Sequence, residues 1–509
     1  MRLDDVSVIG GGPAGLFASI LVKRARPDTA VTVFERSVPD STFGFGVAFT
    51  RRTLELLASA DNAVVSRLRD ASIAMPRQEI RVGGRSVFSS GNDGAIGVAR
   101  SALLTALTDI ACDLGIRVEL GRAAGLAEVS AADLVIAADG VGSEVRGQLA
   151  RDFGACVTPG RGLFMWLGLD RRLESNLFAP VRSADGLFNI HCYPYAADRS
   201  TIGVETDEDT WRRARMDRWT QDTPADESDK RSIEYLQDLF GPTLGGTLLG
   251  NRSRWMRFRT VTAARWSAGH VVLLGDAAHT AHYSVGSGTK MAMEDAVGLV
   301  GALQDPAYAT LPEALAGYET ARRPRVERIQ DLADRSRLWW ETLGQRLDLP
   351  PAALMLAYLS RGGAVSAARL AEREPGVVAE ALAQAGLGPL DSVLDAPVTV
   401  AGRRFPSRIV GDRDGTTLAA DIRDPWGDEA TTFVAAARAC ADVVVIAGAA
   451  RRERLLDRLA LAENVRRHAG VPVAVEADPA LADDVVDAVI AGRIDLVRFT
   501  VPTDAEEPR

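Results

Sequence analysis

Val6-Ser7-Val8-Ile9-Gly10-Gly11-Gly12-Pro13-Ala14-Gly15 is the stretch that decides the fold of this chain. Its first four residues read as a strand buried on both faces, the kind that builds parallel sheets. The glycines then read as a tight turn into a helix. Gly10 allows the turn, Gly12 lets the backbone approach a pyrophosphate, and Gly15 lets the helix lie close on the strand. The helix is expected from about Pro13 to Arg24. Its start, at Pro13 and Ala14, offers unpaired N–H groups and a partial positive charge to phosphate. The next apolar run, Ala30-Val31-Thr32-Val33-Phe34, ends at Glu35, about 20 residues past the last glycine, where a ribose needs an acceptor. Arg36 follows it. This strand–turn–helix–strand unit predicts dinucleotide binding but leaves open which dinucleotide.

Two later motifs make that choice. Gly97 to Leu107 places Arg100 at the start of an amphipathic helix. "DLVIAADGVGSEVR" is a second buried strand, ending in Asp139-Gly140 and followed by Arg146. Gly140 suits a close backbone approach, and Asp139 is either a ligand contact or a turn residue. "HVVLLGDAAH" repeats the design and ends in Gly275-Asp276, at the strand end where open α/β sheets hold ligands. Asp276 is placed to bind a polyol hydroxyl. Beyond it, Gly286 and Gly288 loosen a loop before a helix that begins near Thr289. A helix N-terminus aimed at the N1–C2=O edge of a flavin stabilises the reduced anion. In this order the three motifs describe a site wrapped around FAD.

The rest of the chain narrows the class. Its 509 residues exceed one ordinary core, and the composition (47% hydrophobic, 25% charged) is that of a globular protein. A net charge of -9 argues against nucleic acid. The chain runs straight into a strand, leaving no room for a signal peptide. No apolar run approaches the roughly 20 residues of a membrane span. Cys112, Cys156, Cys192 and Cys440 are scattered, which argues against a disulfide framework and for a cytoplasmic location. His279 and His282 lack carboxylate or thiolate partners at metal spacing, so no metal site is expected.

Taken together, the motifs resemble those of the single-component (group A) FAD aromatic monooxygenases, the para-hydroxybenzoate hydroxylase type. "TFGFGVAF" (Thr42–Phe49), "HCYPYAADRSTIGVETDEDTWRRA" (His191–Ala214), "GDAAHTAHYSVGSGTKMAMEDA" (Gly275–Ala296) and "YETARRPRVERIQ" (Tyr318–Gln330) look most like the monooxygenase half of the salicylyl-CoA 5-hydroxylase and 2-aminobenzoyl-CoA monooxygenase/reductase branch. Tyr283 and Lys290 stand where the wider family carries Pro and Asn, as they do in that branch. The resemblance covers roughly residues 1–375. It implies an α/β fold: a Rossmann-like FAD-binding domain (about 1–75, 97–159 and 263–330), an interleaved antiparallel substrate sheet (about 76–96 and 160–262) and a helical segment (318–375). Residues 376–509 are expected to form a small α/β domain.

The implied reaction starts with NADH or NADPH as a transient reductant of FAD. O2 then gives a flavin C4a-hydroperoxide that hydroxylates or epoxidises an aromatic ring. The implied substrate is an aromatic CoA thioester with a 2-hydroxyl or 2-amino group, which activates the ring carbon para to it. The alternative is a free indole, phenol or aryl acid. A flavoprotein halogenase is disfavoured because "FMWLGL" does not match that family's WxWxIP motif. A non-catalytic flavin-binding scaffold and an FAD dehydrogenase are further readings.

His191, Tyr193 and Tyr195 alternate and so share one strand face, either covering flavin and substrate or packing as core. His282 and Tyr283 are candidates to contact the substrate's polar group, whereas His279 reads as structural. By resemblance, Phe43 and Phe45 are flavin-contacting loop residues. The basic runs Arg212–Arg218 and Arg322–Arg328 could serve the phosphates of CoA, although most such runs are solvated helix faces. The sequence allows a homodimer.

The C-terminal segment resembles a truncated old-yellow-enzyme barrel. "PVTVAGRRFPSRIV" (Pro397–Val410) is similar to its opening strand, and Arg458–Thr500 to its last βα units. A closed barrel needs about 250 residues, and "EADPAL" (Glu476–Leu481) replaces the phosphate-cradling glycines. An incomplete barrel remnant without FMN is expected.

Overall fold

The computed structural model describes residues 1–38, 44–90, 94–224 and 226–500, so Phe43 lies outside the described residues. The chain divides into two compact units, Met1–Arg81 with Ser90–Asp334, and Val82–Ser89 with Arg335–Arg509.

The first unit opens with β1 (Asp5–Ile9), α1 (Pro13–Ala25) and β2 (Ala30–Glu35). An antiparallel pair follows, β3 (Gly46–Phe49) and β4 (Ile96–Ala99). Then come α2 (Arg100–Asp113), β5 (Arg117–Leu120) and β6 (Leu134–Ala137). The chain leaves for a second sheet: β7 (Ala155–Leu169), β8 (Asn176–Arg182), β9 (Leu187–Pro194), β10 (Ser200–Thr206) and β11 (Met256–Ala263). It returns with β12 (Val271–Leu273), α3 (Gly288–Gln304) and the start of α4 (Leu311–Glu341).

The first sheet is parallel in the order β12-β6-β1-β2-β5, with Ser267–Ala268 as an antiparallel edge. Its strands are apolar runs because both faces are covered. Val6, Val8, Val33, Val135, Ile136 and Val272 have no exposed surface. Helix α1 is buried from Pro13 to Val22 and packs against α3, so the first and third motifs meet in one core.

The second sheet is mostly antiparallel, in the order Leu248–Leu249, β7, β10, β9, β8, Gln78–Val82, with β11 also on β7. Alternation divides its residues between two faces. Leu163, Met165 and Leu167 of β7, Ile190 and Cys192 of β9, and Ile202 and Val204 of β10 fill a core with Leu236, Phe240 and Trp255. The opposite face carries Phe164, Trp166, Asn189, His191, Tyr193, Gly203 and Glu205. Register sets Trp166 opposite Gly203 and Phe164 opposite Glu205. It also sets Gly203 opposite His191 and Glu205 opposite Asn189.

In the second unit, α5 (Pro351–Ser360) and the helices Ala367–Arg373 and Pro375–Gln384 pack together and against the helix Ala482–Ile490. Helix α5 is apolar on nearly every face and must be covered all round, so the compact unit begins before residue 375, where resemblance places the division. The segment similar to a barrel's opening strand is a two-stranded hairpin, Val398–Val400 with Arg403–Phe405. The strands β13 (Thr416–Ala419), β14 (Val444–Ala447), β15 (Val473–Ala477) and β16 (Leu496–Phe499) follow. They form a parallel sheet in sequential order. Helices connect them, and the four strands lie in line among the described residues, giving a small α/β domain.

Candidate functional site

At the C-terminal ends of β1, β6 and β12 the three motifs come together. Two glycines are dictated by the packing of the chain itself. A Cβ on Gly10 (φ +109°) would lie 2.3 Å from the Ala138 carbonyl oxygen, and one on Gly15 would lie 2.0 Å from that of Gly10. Gly12, Gly140, Gly286 and Gly288 are different, since a Cβ there meets nothing within 4 Å. These glycines border open space, where a ligand can approach the backbone. Glu35 accepts from Gly11 N–H and Ser37 N–H, both at 2.7 Å, which pins the acid beside the turn. Arg36 is exposed.

Asp139 is both a turn residue and an open acceptor. Its Oδ2 caps the next helix, accepting from Glu144 N–H at 2.8 Å, while its Oδ1 is buried with no hydrogen-bond partner. Arg146 ties this motif to the third, donating to Val141 O at 2.7 Å and Ala277 O at 2.9 Å.

The third motif hangs on one carboxylate. Asp295 accepts from Gly275 N–H at 3.2 Å and Arg322 Nε at 2.9 Å, and pairs with His279 Nε2 at 2.7 Å. Burial opposes its charge, but His279 and Arg322 hold it below the ordinary carboxylate range. The ring of His279 also packs on Trp266 at 5.0 Å, so it is a structural residue of the loop. Asp276 is exposed, with Arg100, Arg146 and His279 close enough to act on its charge. Desolvation pushes its carboxyl up, and His279 and Arg100 oppose that. Burial in turn lowers Arg100, against Asp276 and Tyr193. Helix α3 starts at Gly288, followed by Thr289. Its N-cap, Ser287, makes no capping bond, and the Ser287 Oγ is buried without a partner. Lys290 lies 3.8 Å from Glu294.

These residues fit FAD. Asp139 Oδ1 and Ser287 Oγ are buried polar atoms lacking protein partners, four glycines leave open space, and the N-termini of α1 and α3 have no side-chain cap. Such groups are normally satisfied, so their clustering marks a ligand's place.

The second sheet supplies an aromatic surface with a buried acid. The Tyr283 hydroxyl donates to Glu205 Oε2 at 2.6 Å. The Tyr283 ring lies 4.9 Å from Phe164, 5.3 Å from Trp166 and 4.1 Å from His282. Phe258 packs on His282 at 4.9 Å. His282 is itself buried, its Nδ1 2.8 Å from Ser284 Oγ. His191 and Tyr193 lie side by side at 5.7 Å. Tyr193 donates to Gly46 O at 3.0 Å, and burial pushes its phenol up. Phe45 lies over Gly168, and its carbonyl accepts from Arg100 N–H at 2.7 Å. The segment holding Phe45 and Gly46 therefore joins the antiparallel face to Arg100 and Asp276.

Sequence reading placed His282, Tyr283, His191 and Tyr193 here but passed over Glu205, Asn189, Trp166 and Phe164. The alternation in Thr201-Ile202-Gly203-Val204-Glu205 puts the acid on the polar face, and that was the available signal. Three arginines of the basic runs are engaged within the protein. Arg322 is buried in the Asp295 cluster, Arg323 pairs with Glu319, and Arg212 pairs with Glu208.

A family profile described as "FAD binding domain" matches residues 117–333. Salicyloyl-CoA 5-hydroxylase of a Streptomyces species is 37% identical over 97% of this chain and 99% of that protein. The 3-hydroxy-4-methyl-anthranilyl-[aryl-carrier protein] 5-monooxygenase of Streptosporangium sibiricum is 36% identical over 73% of this chain and 98% of that protein. Among solved structures, 2-methyl-3-hydroxypyridine-5-carboxylic acid oxygenase has a TM-score of 0.53 at 21% identity, covering 71% of this chain and 96% of that one, a likeness of fold.

Proposed function

The chain belongs to the family of FAD-dependent aromatic monooxygenases that includes salicyloyl-CoA 5-hydroxylase, and from that membership we propose that it hydroxylates or epoxidises an aromatic acyl-CoA thioester, with NADH or NADPH as reductant and O2 as oxidant. For hydroxylation the balance is ArH + O2 + NAD(P)H + H⁺ giving ArOH + H2O + NAD(P)⁺. The observation that carries the substrate reading is the aromatic face with its buried Glu205–Tyr283 pair, next to the motif that ends in Asp276.

Bound FAD supplies the electrons and the activated oxygen. The residues of the chain do the rest. The Gly10–Gly15 turn and the start of α1 take the pyrophosphate, Glu35 a ribose hydroxyl and Asp276 a polyol hydroxyl. Asp139, with Gly140, and Ser287 offer further acceptors, and Arg36 lies at the ribose end. The N-terminus of α3, with Gly286, Gly288 and Thr289, would offer positive potential to a bound flavin. Phe164, Trp166 and Phe258 exclude water and hold the ring flat. His282, Tyr283, His191 and Tyr193 orient its polar substituents.

The test is oxidation of NADH and NADPH by the purified yellow protein, with salicyloyl-CoA, benzoyl-CoA and the free acids. Stimulation by the thioester with an oxygenated product by mass is expected. Stimulation by free aromatics alone would replace the thioester reading with that of a free-ring hydroxylase.

A further inference from the structure

The second unit buries more arginine than its carboxylates answer. A cavity of about 20 Å³ in it is lined by Arg335, Arg346, Arg361, Arg423 and Arg493, and the acids of that lining are Asp457 and Glu463. The arginines come from the end of α4, the turn after it, the end of α5 and two further loops, so the cluster exists only in the folded unit. A buried guanidinium is costly unless acceptors meet it. Glu463 has no exposed surface and is shared three ways, 2.7 Å from Arg346, 3.4 Å from Arg467 and 3.9 Å from Arg493. Asp457 is divided between Arg335 at 3.4 Å and Arg454 at 3.6 Å. Arg493 is the least satisfied. It is 8% exposed, and among the described residues its guanidinium donates no hydrogen bond and has the 3.9 Å contact as its one ion pair. Asp487 lies within electrostatic reach, but burial pushes that carboxyl up to about 7, and it already accepts from Ala367 N–H at 2.8 Å. The Nε atoms of Arg335 and Arg346 are likewise buried without acceptors. Trp339 and Trp426 wall the same cavity, with the Arg346 guanidinium 5.2 Å and 5.8 Å from their rings. Apolar walls strengthen a charge interaction between them.

We propose that this cavity is an anion site and that its ligand is a phosphate group. Guanidinium forks match the shape of oxyanions. Five arginines facing two carboxylates leave an excess of three positive charges, which a phosphate dianion offsets more fully than a carboxylate does. The volume has room for one small polar group and for no ring attached to it. The ligand is therefore free phosphate, or the phosphate end of an ester whose remainder stays outside the cavity. Arg423, the exposed member of the set, is the one available to such a remainder. All of these residues belong to the second unit, and the assignment does not depend on the reaction proposed for the first.

The experiment titrates the FAD-loaded, full-length protein by calorimetry with inorganic phosphate, and separately with adenosine 3′,5′-bisphosphate, in chloride buffer at fixed ionic strength. Hydrogen exchange is followed with and without each probe. Saturable binding of one probe molecule per chain is expected in the second unit, with slowed exchange in residues 422–427 and 490–495. Binding of inorganic phosphate marks a free-ion site, and binding of the nucleotide alone marks an ester site. Arg493→Met should weaken binding at least about tenfold. It should keep its FAD, and its melting temperature in phosphate-free buffer should not fall, because the change removes a buried charge that lacks hydrogen bonds. A purely structural cluster gives the opposite pattern, a less stable Arg493→Met protein with an unchanged response to phosphate, and that result overturns the assignment. Absence of saturable binding of either probe to the wild type also overturns it, as does protection confined to the first unit, whether or not the variant folds.

Discussion

Under the proposed function, two of the sheets of the first unit contribute to one site in different ways. The parallel sheet offers main chain: turns at strand ends, uncapped helix starts and glycines that border open space. The antiparallel sheet offers side chains: one alternating face on which Phe164, Trp166, Asn189, His191, Tyr193 and Glu205 stand in register. A cofactor common to a whole family is thus held largely by backbone, which substitution cannot easily alter. A substrate particular to one enzyme would be met by side chains, which can change one at a time without disturbing the sheet that carries them.

If this division holds, damage to the parallel sheet should remove FAD, and damage to the antiparallel face should spare it. The largest effect is expected from Gly15→Ala. Its Cβ would lie 2.0 Å from the Gly10 carbonyl, and only displacement of the turn could relieve that clash. The purified variant should be colourless or insoluble, as judged by its absorbance near the flavin bands. Asp295→Ala comes next. It strips His279 of its buried partner and leaves Arg322 with Glu294, a loss of about 3–5 kcal/mol, and frees the Gly275 turn. A lowered melting temperature and weakened FAD retention on gel filtration should result. Retention equal to wild type would mean that the cluster does not hold the third motif in place.

Gly203→Ala should have the smallest effect and is the sharpest test. Its Cβ would stand 3.1 Å from the Trp166 ring, tight enough to tilt the indole without breaking the strand. FAD content should match wild type while KM for the aromatic substrate rises about tenfold. Loss of FAD comparable to that in Gly15→Ala would break the division, because the two sheets would then not be separable.

The same division explains how much could be read beforehand. Glycine spacing, strand runs and the acids Glu35, Asp139 and Asp276 are local signals, each contained within one strand–turn–helix unit, and they led to the FAD cradle. The place of His282 and Tyr283 beside the third motif was legible because they follow it in the chain. Glu205 was not singled out. Its partner Tyr283 is far away in sequence, and nothing local marks an acid in a strand as facing an aromatic cluster. Asp295 was missed for a similar reason, since a helix acid looks solvated until Arg322 and His279 are brought onto it.

By itself, the amino-acid sequence determined that this chain builds a parallel nucleotide-binding sheet whose three motifs describe an FAD site, and its resemblance to the FAD aromatic monooxygenases implied the antiparallel sheet that interrupts it. The first of these depends on turn chemistry and on apolar periodicity, which act over a few residues. Only the tertiary structure decided that Tyr283 meets Glu205, that Trp166 lies over Gly203, and that Asp295 gathers Gly275, His279 and Arg322. Such contacts depend on strand register and on burial, which exclude water from charges that are distant in sequence and require them to find one another.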